Sequence, residues 1–303
     1  MFSFCIPIYN YDVRKLVTDI HSQASKELVD FEIVLIDDCS EIRFKEFNRE
    51  LSELHSVVYD ELSSNIGRSR IRNLLAKRAK HQYLVFIDCD SMCPDKLYVQ
   101  RYAKLAVGKV IVHGGTIYHS KPSSQNAILH WTYGSKREVV PLKQRLRKPY
   151  HSFTTNNFMI SSSLFSKFGF NEQLTGYGHE DTLFGYELML NKVPIHHTDN
   201  PLLHEGLDSA EAFLRKTHQG ILNLIQINKL MLGDKDLANL IKLLRVFNLI
   251  KKFGMVGVVR FLFSICEKAL EKNLQGKSPK LACFDFYKLG YFCANNDRAR
   301  DIG

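Results

Sequence analysis

The sequence predicts an α/β fold: a mostly parallel central sheet flanked by helices, followed by a helical C-terminal extension. Three observations carry this. Short apolar runs at Phe2–Ile8, 31–36 and Tyr83–Ile87 each end in a polar cluster, and strands that are apolar on both faces belong to sheets covered on both sides. Segments of helical period separate those runs, the alternation expected of parallel strands joined by crossover helices. Beyond about residue 209 the pattern becomes helical almost throughout.

Taken in order, the first helical segment places Val13, Leu16, Val17, Ile20 and Ala24 on one face, with Asp12 as its N-cap. Ile71, Leu74, Leu75 and Ala79 mark a second helix. Residues 109–117 and 153–161 read as strands, separated by a basic loop with Trp131 and Tyr133 ahead of it, and 193–198 as a short strand. Residues 234–274 form a nearly continuous helical pattern with Gly254 and Gly257 as the expected breaks. A boundary near residue 230 divides a main α/β domain, 1–230, from a basic extension, 231–303; within the former, 1–105 form a first half and 106–230 a second.

Composition narrows the class. Of 303 residues, 45% are hydrophobic and 24% charged, an ordinary globular balance without repeats or low-complexity segments. The net charge of +9 is uneven: residues 229–303 hold 14 Lys/Arg against 7 Asp/Glu, and 136–148 hold six against one, so the remainder is net negative. Two local basic surfaces, rather than a general nucleic-acid-binding face, follow from that distribution. The first, 136–148, reads either as a mobile lid that folds over a phosphate or as a solvated charged loop. The second, carrying Lys242, Arg245, Lys251, Lys252, Arg260 and Lys268 among apolar residues, has the pattern of a helix lying on an anionic membrane, and packing against the rest of the chain explains its apolar face equally well. Seven cysteines without paired metal-ligand spacing imply reduced, intracellular thiols. The chain opens on a strand pattern rather than a leader, and no run approaches a membrane span. The expectation is a cytoplasmic protein, with peripheral contact at the inner face of the cell membrane.

In such sheets ligands bind beyond the carboxyl ends of the strands. Those ends carry Tyr9-Asn10, Asp37-Asp38 and Asp88-Cys89-Asp90. Acids clustered there repel one another unless a cation lies among them, and two aspartates at i and i+2 suit a hard cation that also takes phosphate oxygens. Asp88 or Asp90 could equally cap the turn that follows. About ninety residues on, Thr175-Gly-Tyr-Gly-His-Glu-Asp-Thr182 sets two glycines around an aromatic and two acids at a helix start. Asp181 reads as a general base, with Glu180 holding a substrate hydroxyl or orienting the loop; helix capping by the pair is the plainer alternative.

Phe4-Cys-Ile-Pro-Ile-Tyr-Asn10, Ile36-Asp-Asp-Cys-Ser40, Asn65-Ile-Gly67 with Ile71-Arg-Asn73, Asp88-Cys-Asp90 and His179-Glu-Asp181 occur in the order seen in inverting family 2 glycosyltransferases. Over roughly residues 1–215 the chain resembles that family, and its 176–181 segment resembles the acceptor loop of galactosyltransferases and chondroitin-type polymerases. The resemblance implies a GT-A fold, a UDP-sugar donor and Mn2+ or Mg2+. It implies that Pro7, Tyr9, Asp38, Asn65, Arg72 and Asp88 bind the nucleotide sugar. It assigns the metal to Asp90 and His204, with His196 and His197 as competitors for the latter place. Gly176, Tyr177, Gly178 and His179 would bind the acceptor, a glycan or lipid-linked hydroxyl, in bacterial surface polysaccharide synthesis. Two departures stand out: Cys39 replaces a glycine common after the second-strand aspartates, and His179 replaces the second glycine of Gly-Gly-Glu-Asp. The alternatives are a non-catalytic nucleotide-sugar binding protein and a nucleotidyltransferase. The latter normally has a glycine-rich loop and lysine where this chain has Tyr9-Asn-Tyr-Asp12.

Overall fold

A computed structural model describes residues 1–28, 30–173, 177–231 and 233–296. It divides into two compact units, one holding residues 1–119, 139–175 and 180–206, the other 120–138, 176–179 and 207–303.

The first unit is built on β1 (Phe2–Ile8), α1 (Arg14–Glu27), β2 (Phe31–Asp37), α2 (Ile42–Arg49), β3 (Val57–Glu61), α3 (Arg68–Arg78), β4 (Tyr83–Ile87), β5 (Ser91–Met92), α4 (Tyr98–Ala103), β6 (Ile111–His113) and β7 (Thr116–Ile117). The next helix, α5 (Ile128–Tyr133), belongs to the second unit. The first resumes with α6 (Leu142–Arg147), β8 (Asn157–Ser161), α7 (Ser162–Phe168), α8 (Glu180–Leu190), β9 (His196–His197) and β10 (Leu202–His204). Seven strands form one sheet in the order β3-β2-β1-β4-β8-β6-β9. Only β8 runs against the rest, antiparallel to both β4 and β6. The mostly parallel α/β sheet is therefore the one expected.

Period-two alternation sorts the core. Phe4, Ile6, Ile8, Ile33, Leu35 and Val85 face one side with Leu16, Val17 and Ile20 of α1 and Tyr98 and Tyr102 of α4. Cys5, Val34, Ile36, Leu84 and Phe86 face the other with Ile71 and Leu75 of α3, Phe165 of α7 and Phe184 of α8. Both faces are covered, which is why these strands are apolar at nearly every position; the buried Ser3 hydroxyl donates to Glu32 at 2.6 Å. The half-exposed edge strand β3 is one that the apolar runs do not announce; of the regions read as single strands, 153–161 contains the five-residue β8, whereas 109–117 and 193–198 contain only ladders of two or three residues.

A second, three-stranded sheet, β5-β10-β7, lies beyond the end of β4. Its pairing of His204 with Ser91 sets β10 alongside the Asp88-Cys-Asp90 turn, and the Glu205 N–H donates to the Asp90 carbonyl at 2.8 Å. At the start of β8, Asn157 is fully buried. Its amide donates to the carbonyls of Gly115 and Asn200, both at 2.8 Å, and its oxygen accepts from the hydroxyls of Tyr98 and Tyr102 at 2.9 and 2.7 Å. One residue earlier, the Asn156 carbonyl accepts from the Asp88 N–H at 3.1 Å.

The second unit contains α9 (Ala210–Leu230), α10 (Lys235–Leu240), α11 (Lys242–Lys252), α12 (Val256–Leu274) and α13 (Leu281–Asn295). Ser209 caps α9, its hydroxyl accepting from the Ala212 N–H, and Asp234 caps α10 through the N–H groups of Asp236 and Leu237. Gly254 ends α11 with a φ of 69°, whereas Gly257, expected as a break, lies inside α12. A Cβ at Gly290 would collide with the ring of Phe263, so glycine is what lets α13 lie against α12. No helix among the described residues is long and apolar enough to cross a membrane.

Asn157→Ala deletes four buried hydrogen bonds and leaves two hydroxyls and two carbonyls of other residues without that partner. At about 1–3 kcal/mol per stranded group, urea denaturation should show a loss of at least about 3 kcal/mol.

Candidate active site

Pro7, Tyr9, Asp38, Arg68, Arg72, Asp88, Cys89 and Asp90 line one pocket beyond the carboxyl ends of β1, β2 and β4. Parallel pairing brings these ends together: Ile8 is in register with Asp37, and the Asp38 N–H donates to the Ile8 carbonyl at 2.8 Å. Tyr9, just past β1, is 54% exposed.

Asp38 organises the loop into α3. Its two carboxylate oxygens accept from the N–H groups of Ile66 at 2.7 Å and Gly67 at 3.1 Å, and its carbonyl accepts from the Asn65 amide at 3.1 Å. Gly67 adopts φ 83°, where a side chain is strained. Burial raises the Asp38 pKa despite those two N–H donors. Cys39, the departure from the family's glycine, has φ 65°, so the backbone keeps a glycine-like shape with a thiol on it. Cys89 forms a neutral wall: burial, reinforced by Asp90, pushes its thiol up to about 12.

Two arginines one helical turn apart on α3 then meet two carboxylates far away in sequence. Arg72, 1% exposed, donates to Asp88 Oδ1 at 2.5 Å and lies 3.7 Å from Glu180. Arg68 bonds Glu180 through Nε and Asp88 Oδ2 through Nη2, the latter at 3.4 Å. Burial alone would favour the neutral acids, but both are held below their ordinary ranges because the guanidiniums outweigh desolvation. The structure thus places Arg72, expected to bind the nucleotide sugar, on Asp88. Arg68 was not singled out from sequence; its only local sign is the Arg68/Arg72 spacing of four.

Asp181 follows Glu180 in the first turn of α8. Its Oδ1 accepts from the Thr182 N–H at 2.6 Å. Its pKa is nonetheless raised to about 6, first by burial and second by the charge of Glu180, with Thr182 and Arg68 opposing. Adjacent carboxylates are thereby driven apart, one anchored as an anion and one poised near neutrality.

Asp90 and His204 meet through the small sheet, Oδ1 to Nδ1 at 3.5 Å. Asp90 Oδ1 is buried and accepts no hydrogen bond among the described residues. A Cβ at Gly206 would collide with the Asp90 carboxylate, so glycine keeps that space clear. No group of three or more His, Cys, Asp or Glu suited to a metal occurs among the described residues. A carboxylate and an imidazole still fit Mn2+ or Mg2+, which take much of their shell from water and phosphate oxygens. His197 is engaged elsewhere, 3.2 Å from buried His113 and 3.0 Å from the Pro149 carbonyl; His196 is exposed. Arg145, expected on a phosphate-covering loop, is buried and donates to the carbonyls of Val140, His113, Gly114 and Thr198.

In the second unit, the Asn223 amide donates to the carbonyls of Tyr177 and Gly178 at 3.2 and 3.3 Å. Lys216 lies 5.5 Å over the Tyr177 ring. His179, the family's other missing glycine, has φ 72°. Gly176 lies outside the described residues.

The model of Glycosyl transferase family 2 matches residues 3–169, more than half of the chain. Chondroitin synthase of Escherichia coli is 26% identical over 219 residues, covering 61% of this chain and 32% of that protein, so the chain spans about a third of that relative's length. Mannosyltransferase PcManGT from Pyrobaculum calidifontis, in complex with GDP-Man and Mn2+, has TM-score 0.59 at 14% identity, covering 99% of this chain and 88% of that one. S. aureus TarS 1-349 in complex with UDP gives 0.51 at 16%, covering 99% and 92%; its complex with UDP-GlcNAc gives 0.50 at 15%, with the same coverage. At these identities the likeness is one of fold, here GT-A. Family match, strand-end pocket and motif order agree: the chain belongs to glycosyl transferase family 2 and is a glycosyltransferase.

Proposed function

We propose that this chain is a metal-dependent, inverting glycosyltransferase that moves a sugar from a UDP-sugar to a hydroxyl of a glycan or glycolipid, in bacterial surface polysaccharide synthesis. Residues 1–230 carry the machinery and 231–303 form the basic extension. The observation that carries this reading is the division of labour among carboxylates: Asp88 and Glu180 are tied to Arg68 and Arg72, Asp90 keeps a buried oxygen without a hydrogen bond among the described residues, and Asp181 has its pKa raised to about 6.

Asp181 accepts the proton of the acceptor hydroxyl as its oxygen attacks the anomeric carbon from the side opposite the diphosphate. The new carbon–oxygen bond forms while the bond to the diphosphate oxygen breaks, and the nucleoside diphosphate leaves with the electron pair. Asp88, positioned by the two arginines, contacts the ribose or donor sugar. Pro7, Tyr9 and Asp38 border the nucleoside, with Asn65 and Arg72 shaping that wall. Asp90 and His204 would hold Mn2+ or Mg2+, which when bound neutralises charge developing on the leaving diphosphate. Tyr177, Gly178 and His179, with Gly176, contact the acceptor. Complexes of the fold relative TarS with UDP and UDP-GlcNAc support a UDP donor; the GDP-Man complex of PcManGT makes guanosine donors the comparison.

Nucleoside diphosphate release across UDP- and GDP-sugars, with Mn2+ and with Mg2+, tests the reading. Turnover with a UDP-sugar and a metal is expected, whereas affinity without release would establish a binding protein. Asp181→Asn should lower turnover by about 10²–10⁴-fold and leave donor affinity unchanged, while Asp90→Asn should weaken donor binding as well.

The pH dependence has a defined sign. The base must be ionised, so activity should be half-maximal near pH 6, reach its plateau above that value and fall as pH drops below it. Glu180→Gln removes a negative neighbour while leaving Arg68 and Arg72, so the acidic limb of the pH–rate profile should move to lower pH.

A further inference from the structure

A helix that packs on one side is ordinarily polar on the other, and α12 breaks that rule. Its inner face buries Val259, Phe263 and Leu274. Its outer face carries Val258, Phe261, Leu262 and Ile265, each between 45% and 65% exposed. At about 100° per residue these four share an arc of roughly 100°. The turn leading into the helix adds Phe253 and Met255, 67% and 46% exposed. Isolated exposed apolar residues are normal, but a continuous stripe of six large ones marks an interaction surface.

The charges around the stripe identify its partner. Residues 237–266 contain no Asp or Glu, yet hold Lys242, Arg245, Lys251, Lys252 and Arg260. Exposed Lys251 and Lys252 precede the stripe, and exposed Lys268 and Lys272 continue its arc beyond Ile265. The nearest acids lie off that arc, and Glu271 is turned to the Tyr287 hydroxyl at 2.9 Å. Apolar residues bracketed at both ends by lysines match a bilayer interface, where chains lie beneath anionic headgroups. A second copy of the chain fits poorly, because a symmetric pairing in either orientation sets lysines against lysines.

We propose that this face of α12 docks the protein on an anionic lipid bilayer, with Phe253, Phe261, Leu262 and Ile265 entering the interface and Lys251, Lys252, Lys268 and Lys272 meeting lipid phosphates. The proposal gives residues to a membrane contact and does not depend on sugar transfer.

Co-sedimentation of the full chain with vesicles tests it, using phosphatidylcholine alone and an equal mixture with phosphatidylglycerol. The anionic vesicles should bind about tenfold more protein or better. Phe261→Asp with Ile265→Asp should abolish binding to both, and replacing the four lysines by glutamine should remove the preference for anionic lipid. The side chains changed are exposed, so melting temperature and nucleoside diphosphate release on a soluble acceptor should match the parent, which separates this test from that of the transferase. Wild-type protein left in the supernatant with anionic vesicles overturns the proposal. So does a double-aspartate variant that sediments like wild type, or a wild-type dimer in sedimentation velocity that the variant converts to monomers without any vesicle binding.

Discussion

The pairing of Arg68 and Arg72 with Asp88 and Glu180 is the constraint on which the rest of the site depends. Arg72 is almost wholly buried, and an isolated buried charge is intolerable at the several kcal/mol scale of ion desolvation. Two cations and two anions satisfy one another, but only if the turn after β4 and the first residue of α8 both come to α3. A local charge balance therefore fixes the placement of segments 16 and 112 residues away in sequence.

That cluster also sets the neighbouring chemistry. With Asp88 and Glu180 kept ionised by the arginines, Glu180 becomes a fixed negative charge beside Asp181 and helps burial raise its pKa. The adjacent acids are thus unequal for a stated electrostatic reason, although their sequence positions look interchangeable. Asp90 escapes the arginines because the chain turns after Asp88, and β10 then brings His204 to it. The Asp-Cys-Asp motif consequently serves two ends, one facing the arginines and the other the space that Gly206 keeps clear.

Much of this was legible in the sequence. Apolar runs located β1, β2 and β4, and motif order identified the family, because both are local patterns repeated along the chain. Arg68 was not legible: an arginine pair four apart reads as a solvated helix face, and its partner Glu180 is visible only in three dimensions. Edge strand β3 escaped because its half-exposed Val58 and Tyr59 lack the signature of a buried run. The two departures from family glycines, Cys39 and His179, look disruptive in sequence, yet both residues occupy the left-handed backbone region that glycine would. The departures change side chains while preserving the turns.

The proposed transfer is a single displacement at the anomeric carbon, with Asp181 as the one base. The configuration of the product, read from its anomeric proton by NMR after turnover of an α-linked UDP-sugar, reports on that displacement. A β-linked product is predicted. An α-linked product would mean retention, and would contradict the mechanism built on Asp181.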